Sequence, residues 1–395
     1  MIPTRKTHVV HITQHLEIGG LESFIVEFCR KMDTDRFRAT VLCLNGYDEC
    51  YKARLEQSGV KVHLIRKTHK FDLMFLARAA SFLKSIQTDI MHSHGGCFFY
   101  SSLIGKLAGV RQLIYTVHGM PVSFGLQARV EEFLSCTMTD RIVAVSDETA
   151  KNLRSRNYGV ANKLEVIING IDTERYRPIE DDERKIACKT RYGLEHKTNI
   201  IGSVGRLEKV KNYPLLLKAC AKLCHDYNKE FHLVLVGSGS EEAALKQLAQ
   251  ELAISNNVSF PGMQYDLQEI YPLFDIFVLS SLTEGTSLSL LEAQSCGVPA
   301  VVTDVGGNSR IIENGINGLL TPSGSPTTMA ALLYQLLNCT DQRLAMQKQA
   351  RAKVLEQFDL CSMVNSYQDL YRSSDTCSTY LPAEAMVGTY DTSQP

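Results

Sequence analysis

This sequence predicts two successive α/β domains, each a doubly wound parallel sheet covered by helices. Three observations carry that prediction. Short apolar runs alternate with longer amphipathic segments, the pattern of buried parallel strands joined by crossover helices. The rhythm restarts after Pro178, and 395 residues at roughly 150 per domain divide naturally into two. Loops bearing glycine and charge fall where strands hand over to helices, the edge at which such sheets hold ligands.

In the first half, apolar and β-branched runs predict strands at residues 9–12, 39–44, 61–64, 90–92, 112–116 and 141–145. Between them, apolar residues at helical spacing predict helices at 21–31, 51–58, 71–86, 99–107, 127–135 and 146–155. The second half repeats the order, with strands at 199–204, 232–236, 257–260, 276–279, 300–302 and 318–320. Helices are expected at 213–225, 241–252, 267–273, 287–295, 308–313 and 327–338, and one more over 344–371. The domains are residues 1–176 and 177–355, joined near 169–178, and the Ser/Thr/Pro-bearing tail 373–395 is expected to be disordered.

Charge excludes one class of function. With 42 Lys+Arg against 43 Asp+Glu the net charge is -1, without the basic excess that nonspecific nucleic-acid binding requires. Residues 1–176 hold 23 basic and 18 acidic side chains, so the front half is mildly basic and suits an anionic surface or substrate. Twelve cysteines stand singly, with no Cys-x-x-Cys pair, as expected of reduced thiols in a cytosolic protein. The opening residues lack the apolar core of a signal peptide, and no run approaches the ~20 apolar residues of a membrane span.

The most informative segment is Glu284-Gly285-Thr286-Ser287-Leu288-Ser289-Leu290-Leu291-Glu292. Gly285, Thr286 and Ser287 stand where a helix begins, so their amides face whatever occupies the crevice beyond the preceding strand. Eight residues at a rise of 1.5 Å place Glu284 and Glu292 roughly 12 Å apart along the axis, too far for two carboxylates acting on one bond. They could grip two ends of one elongated ligand, and a capped helix with one exposed Glu explains the run equally. A second strand end, Gly205-Arg206-Leu207-Glu208-Lys209-Val210-Lys211-Asn212, sets cations before a helix, which suits a diphosphate; loop cations that are merely solvated are the alternative. Gly237-Ser238-Gly239 is a weaker turn without the third glycine of a dinucleotide fingerprint. In the front half, Gly19-Gly20-Leu21-Glu22 follows the first strand and His118-Gly119 follows the fifth.

Two patterns are set aside. Asp33-Thr34-Asp35 has a metal-nucleotide spacing but lies between a helix and the next strand, at the wrong sheet edge, and reads as a solvated turn. His92 and His94 share one strand face, but the sequence places no third ligand, so no metal site is assigned.

Taken in order, these stretches resemble the retaining nucleotide-sugar glycosyltransferases of family 4. The matched pieces are Gly19-Gly20-Leu21-Glu22, His118-Gly119, Val145-Ser146, Asn169-Gly170-Ile171-Asp172, Gly205-Arg206-Leu207 with Lys211-Asn212, Gly237-Ser238-Gly239, and Glu284 to Glu292. Gly297-Val298-Pro299 and Asp304-Val305-Gly306-Gly307 continue the match, which spans about residues 8–372. The resemblance implies the GT-B architecture, two Rossmann-like domains facing a central cleft, with residues 356–372 crossing back to the first. It further implies that Glu292 holds the ribose hydroxyls, Arg206 and Lys211 the diphosphate, and Glu284 a hydroxyl of the transferred sugar. Amides of Gly285, Thr286, Ser287 and Leu288 would contact sugar or phosphate. His118 would face the sugar, Gly19 and Gly20 would lie near phosphate and acceptor, and Gly237 would belong to the donor site. The implied donor is a UDP- or GDP-linked sugar, with no cofactor and no essential metal.

The implied acceptor is a saccharide or a polyprenyl-diphosphate-linked glycan of bacterial surface polysaccharide synthesis, met in the cytoplasm or at the inner face of the membrane. The segment Lys61-Val62-His63-Leu64-Ile65-Arg66-Lys67-Thr68-His69-Lys70, followed by Phe71-Asp72-Leu73-Met74-Phe75, could touch anionic lipid, or be a strand, a basic loop and a core-facing helix. Two other classes are the alternatives, and the intact basic and acidic motif residues argue against the first. One is a catalytically silent sugar-nucleotide-binding subunit, which would bind without releasing diphosphate; the other is a sugar-nucleotide epimerase, which would need no acceptor.

Overall fold

The computed structural model describes residues 5–17, 19–67, 72–118, 125–156 and 159–373, the side chain of Ala128 excepted. Gly119, the basic stretch 68–71 and the tail from residue 374 onward, all invoked above, lie outside the described residues. The first domain runs β1 (Thr7–Leu16), α1 (Gly20–Lys31), β2 (Phe37–Tyr47), α2 (Glu49–Gln57), β3 (Lys61–Leu64), α3 (Leu73–Ser85) and β4 (Ile90–His94). It continues with α4 (Phe98–Ala108), β5 (Gln112–Val117), α5 (Leu126–Met138), β6 (Arg141–Ala144), α6 (Asp147–Ser155) and β7 (Leu164–Val166). These strands form a parallel sheet of order β3-β2-β1-β4-β5-β6-β7.

The second domain runs α7 (Asp182–Arg191), β8 (Ile200–Val204), α8 (Tyr213–His225), β9 (His232–Val236), α9 (Glu242–Glu251), β10 (Val258–Gly262) and α10 (Leu267–Ile270). It closes with β11 (Ile276–Leu279), α11 (Leu288–Ser295), β12 (Ala300–Thr303), α12 (Asn308–Ile311), β13 (Gly318–Thr321) and α13 (Pro326–Asn338). Its parallel order is β10-β9-β8-β11-β12-β13. Strand order reverses between β1 and β4 and between β8 and β11, and crevices of such sheets open at those switch points. β8, β9, β11 and β12 are buried along their whole length, which is why they read as mostly apolar runs rather than alternating ones.

Three elements differ from the sequence expectation. The three-residue edge strand β7 is too short to carry a period, and α7 buries only Cys188 among its ten residues, so it has almost no apolar stripe to read. The single helix expected over 344–371 is two, α14 (Thr340–Gln357) and α15 (Leu360–Arg372). The break at Phe358 and Asp359 has a tertiary cause: the Ile171 N–H donates to Phe358 O at 2.9 Å, and the Leu360 N–H donates to Ile171 O at 3.0 Å. The two chain crossings between domains are thus hydrogen-bonded to each other, and Asp359 caps the new helix by accepting from the Ser362 N–H.

Helix α15 lies on the first domain. Leu360, Met363, Val364, Tyr367, Leu370 and Tyr371 are buried with Phe24, Phe28, Val41 and Ile90 in one core. At roughly 1.5–3 kcal/mol per fully buried large side chain, this face holds the end of the chain firmly on the domain that begins it. The Asp33 segment is a turn at the start of β2: Asp33 accepts from the Asp35 N–H at 2.9 Å and pairs with Arg36 at 3.4 Å, away from the cleft.

Candidate active site

Both domains contribute to one cavity of about 410 Å³ at the carboxyl ends of their strands, a size suited to a small ligand. From the first domain it takes Gly19, Gly20 and His118; from the second Arg206, Lys211, Gly237, Glu284, Thr286, Ser287, Leu288 and Glu292. Local sequence explains each position. Gly19 and Gly20 end the β1 loop and start α1, whose first amides have no intrahelical partner. Arg206 and Lys211 follow β8, and Gly237 follows β9. Ser287 caps α11 by accepting from the Leu290 N–H, so the turn Gly285-Thr286-Ser287 aims the helix start into the cleft.

Glu284 and Lys211 form one unit. Lys211 Nζ and Ser281 Oγ both donate to Glu284 Oε1 at 2.6 Å, and both charged side chains are largely withdrawn from solvent. The ammonium is therefore matched by a carboxylate, whereas the guanidinium of Arg206 is exposed at this end of the cleft, with no ion pair within 4 Å among the described residues, and can meet an anion.

Glu292 stands at the other end, on the second turn of α11, with only 7% of its surface exposed. Tyr271 OH donates to its Oε2 at 2.6 Å. Burial pushes its carboxyl up to about 7, although the Tyr271 and Tyr176 hydroxyls and the Arg175 charge pull the other way. Arg175 in turn reaches Glu27 of α1 at 2.7 Å and Gln268 of α10, tying the domains together beside the cavity. Sequence reasoning did not single out Tyr176, Arg175, Glu27 or Tyr271. The only local signal was the position of Arg175 and Tyr176 just after Asn169-Gly170-Ile171-Asp172.

The domains touch through their cleft edges. Thr286 Oγ1 donates to Val145 O at 2.5 Å, and a Cβ on Gly285 would strike His118 O, so only glycine admits this approach. His118 is half-buried at the end of β5, and burial drives its imidazole down to about 3, leaving it neutral at pH 7. The structure also supplies a third histidine beside His92 and His94, namely His11, with ring nitrogens of all three within 4.8 Å. Five of those six nitrogens are already hydrogen-bonded, to one another, His118, Tyr371 and Thr116, so the group does not present three free lone pairs to a metal.

Known proteins resemble this chain in sequence and in fold. Residues 18–175 fit the model of glycosyltransferase family 4, and residues 186–353 that of glycosyl transferases group 1. Together these two models mark both halves of the chain as glycosyltransferase domains. Over 388 residues this glycosyltransferase is 29% identical to the UDP-Gal:alpha-D-GlcNAc-diphosphoundecaprenol alpha-1,3-galactosyltransferase of Escherichia coli, covering 93% of this chain and 97% of the relative. It is 28% identical over 308 residues to the N-acetyl-alpha-D-glucosaminyl L-malate synthase of Bacillus anthracis, covering 76% and 79%. In fold it resembles Anabaena HepE in complex with UDP and glucose, with TM-score 0.82 at 21% identity over 93% of this chain and 100% of that one. The GT-B architecture is thereby shared. No helix among the described residues is long and apolar enough to cross a membrane.

Proposed function

We propose that this glycosyltransferase moves a hexosyl group, with retention and without a metal ion, from a UDP- or GDP-linked sugar to a saccharide or polyprenyl-diphosphate-linked acceptor in bacterial surface polysaccharide synthesis. One observation carries the reading. Glu284, just before α11 and paired with Lys211 of the loop after β8, and the buried Glu292 on α11 line one ligand-sized cavity together with the exposed guanidinium of Arg206. A nucleotide sugar lying across that helix start would present its ribose diol to Glu292, its diphosphate to Arg206 and the helix amides, and a sugar hydroxyl to Glu284. Departure of the nucleoside diphosphate puts negative charge on the β-phosphate, which Arg206 and the amides of the α11 start stabilise. Front-face attack, with the acceptor proton passing to the departing phosphate, then needs no enzymic nucleophile. His118 would meet the sugar from the first domain, and contact between the domains would keep water out.

The lipid-linked acceptor and contact with the inner membrane face draw support from exposed apolar side chains. Leu126, Val130, Phe133 and Leu134 line one face of α5, and Leu73 and Met74 at the start of α3 are 77% and 76% exposed. Phe75 alone of that helix start turns into the core.

The test is diphosphate release from UDP- and GDP-sugars in EDTA, with and without short-chain polyprenyl-diphosphate glycans, and the anomeric configuration of the product read by NMR. The expected outcome is acceptor-dependent release in EDTA and an α-linked product from an α-linked donor. Release that requires added divalent metal, or an inverted product, would overturn the corresponding part of the proposal.

A further inference from the structure

A chain of buried imidazoles runs from the cleft into the core. His118 Nε2 meets His94 Nδ1 at 3.1 Å, and His94 Nε2 meets His11 Nδ1 at 3.0 Å. The strands impose this geometry: His11 and His92 are ladder partners on β1 and β4, His94 lies two residues on along the same face, and His118 ends the adjacent β5. Phe24, Phe28, Tyr367 and Tyr371 from α1 and α15 roof the rings. The last atom of the chain, His11 Nε2, is buried with no hydrogen-bond partner among the described residues.

We propose that His94 and His11 are positioning residues that fix His118 as the neutral tautomer with its proton on Nδ1, so that it enters the donor site as a hydrogen-bond donor. Three neutral rings in series allow two proton arrangements. In one, His118 Nε2–H donates to His94 and His94 Nε2–H donates to His11, which leaves a His11 Nε2–H in the core with no oxygen or nitrogen among the described residues to receive it. In the other, every proton points the opposite way: His11 Nδ1–H donates to His94, His94 Nδ1–H donates to His118 Nε2, and the dead end is a bare lone pair. Orphaned buried N–H groups are rarer than orphaned acceptors, so the second arrangement prevails. The ring of Phe28, 5.1 Å away, offers at most a weak π contact to a proton at that end. Desolvation keeps all three rings uncharged, so no imidazolium interrupts the series. With Nε2 held by His94, only Nδ1 of His118 remains to meet a ligand, and it carries the proton. The catalytic consequence rests on the function proposed above; the tautomer itself does not.

The experiment is a long-range ¹H–¹⁵N correlation spectrum of the full chain labelled at histidine nitrogens, at pH 7 without ligand, with His118 assigned by its loss in His118→Asn. The expected result is an Nδ1–H neutral ring. In His94→Asp a carboxylate accepts from His118 and reverses its tautomer; His11→Asp does the same through His94, at one ring's remove. The reversed variants should lose roughly tenfold or more in kcat, with donor KM moving less than threefold. An Nε2–H or charged His118 in the wild type would overturn the proposal, and a reversed tautomer with undiminished kcat would overturn its catalytic half. An Nδ1–H ring in a chain that turns over no nucleotide sugar would refute the proposed function and leave the positioning chain standing.

Discussion

Glu292→Gln should make this protein more stable at pH 8 and less able to hold nucleotide. Burial raises the Glu292 carboxyl from 4.5 to about 7. A carboxyl whose folded pKa lies above its unfolded value supports folding below the unfolded pKa, and that support disappears as pH rises through the folded pKa. The unfavourable balance therefore grows between pH 4.5 and 7 and is complete at pH 8. A rise of this size corresponds to about 3 kcal/mol at full development. Glutamine removes the charge and keeps one acceptor for Tyr271 OH, but its amide leaves part of the hydrogen bonding imperfect at a cost of about 1 kcal/mol. The net gain is about 2 kcal/mol at pH 8, or ~4–8 °C in the melting temperature of a domain of this size. By pH 5 the advantage should have largely gone, because the wild-type carboxyl is then protonated in the fold. Thermal melts of both proteins at pH 5 and pH 8 make the comparison, and Glu22, also pushed up to about 7 by burial, is present in both and cancels. A variant equally or less stable than wild type at pH 8 would refute the reasoning, since it would mean that the carboxylate is fully compensated in the empty cleft. Nucleotide titration of the same variant should show weakened binding, as expected if Glu292 receives the ribose hydroxyls.

Arg206→Ala should lower turnover about 10²–10³-fold, the cost of one charge-stabilising donor, with an unchanged melting temperature; wild-type turnover would remove Arg206 from the mechanism. Gly306→Ala should impair turnover without touching the ligand, because Gly306 has φ +57° and a Cβ there would strike Glu284 O, so the loop carrying Glu284 must shift; unchanged kinetics would show that this approach does not set the position of Glu284. Asp33→Ala should leave activity unchanged in EDTA and in magnesium, since the Asp33 side chain closes a turn with Asp35 and Arg36 and the backbone bonds to Gln368 and Phe37 survive the substitution; a metal-dependent loss would contradict that assignment.

Much of this site was legible before the fold. The Glu284 to Glu292 run and the Gly205 to Lys211 loop are contiguous, and a helix start or a strand end is a local property that spacing and capping residues reveal. The structure then altered the meaning of two of these residues. Glu284 and Lys211 are 73 residues apart, and nothing in either segment says that they share one ion pair. Nothing in the sequence marks Tyr271 and Tyr176, because what distinguishes them is a hydroxyl turned toward Glu292. His92 and His94 read as an incomplete pair, because the third ring lies on β1, some 80 residues earlier.

The order of strands and helices, the restart after Pro178 and the loops that carry charge follow from the sequence alone, since hydrophobic period, caps and glycine act within a few residues. The convergence of both sheets on one cleft was decided only in three dimensions. So were the break at Asp359 that returns α15 to the first domain and the imidazole chain behind His118. Each depends on backbone and side chains from distant segments meeting within hydrogen-bond reach, and a local pattern carries no record of those distances.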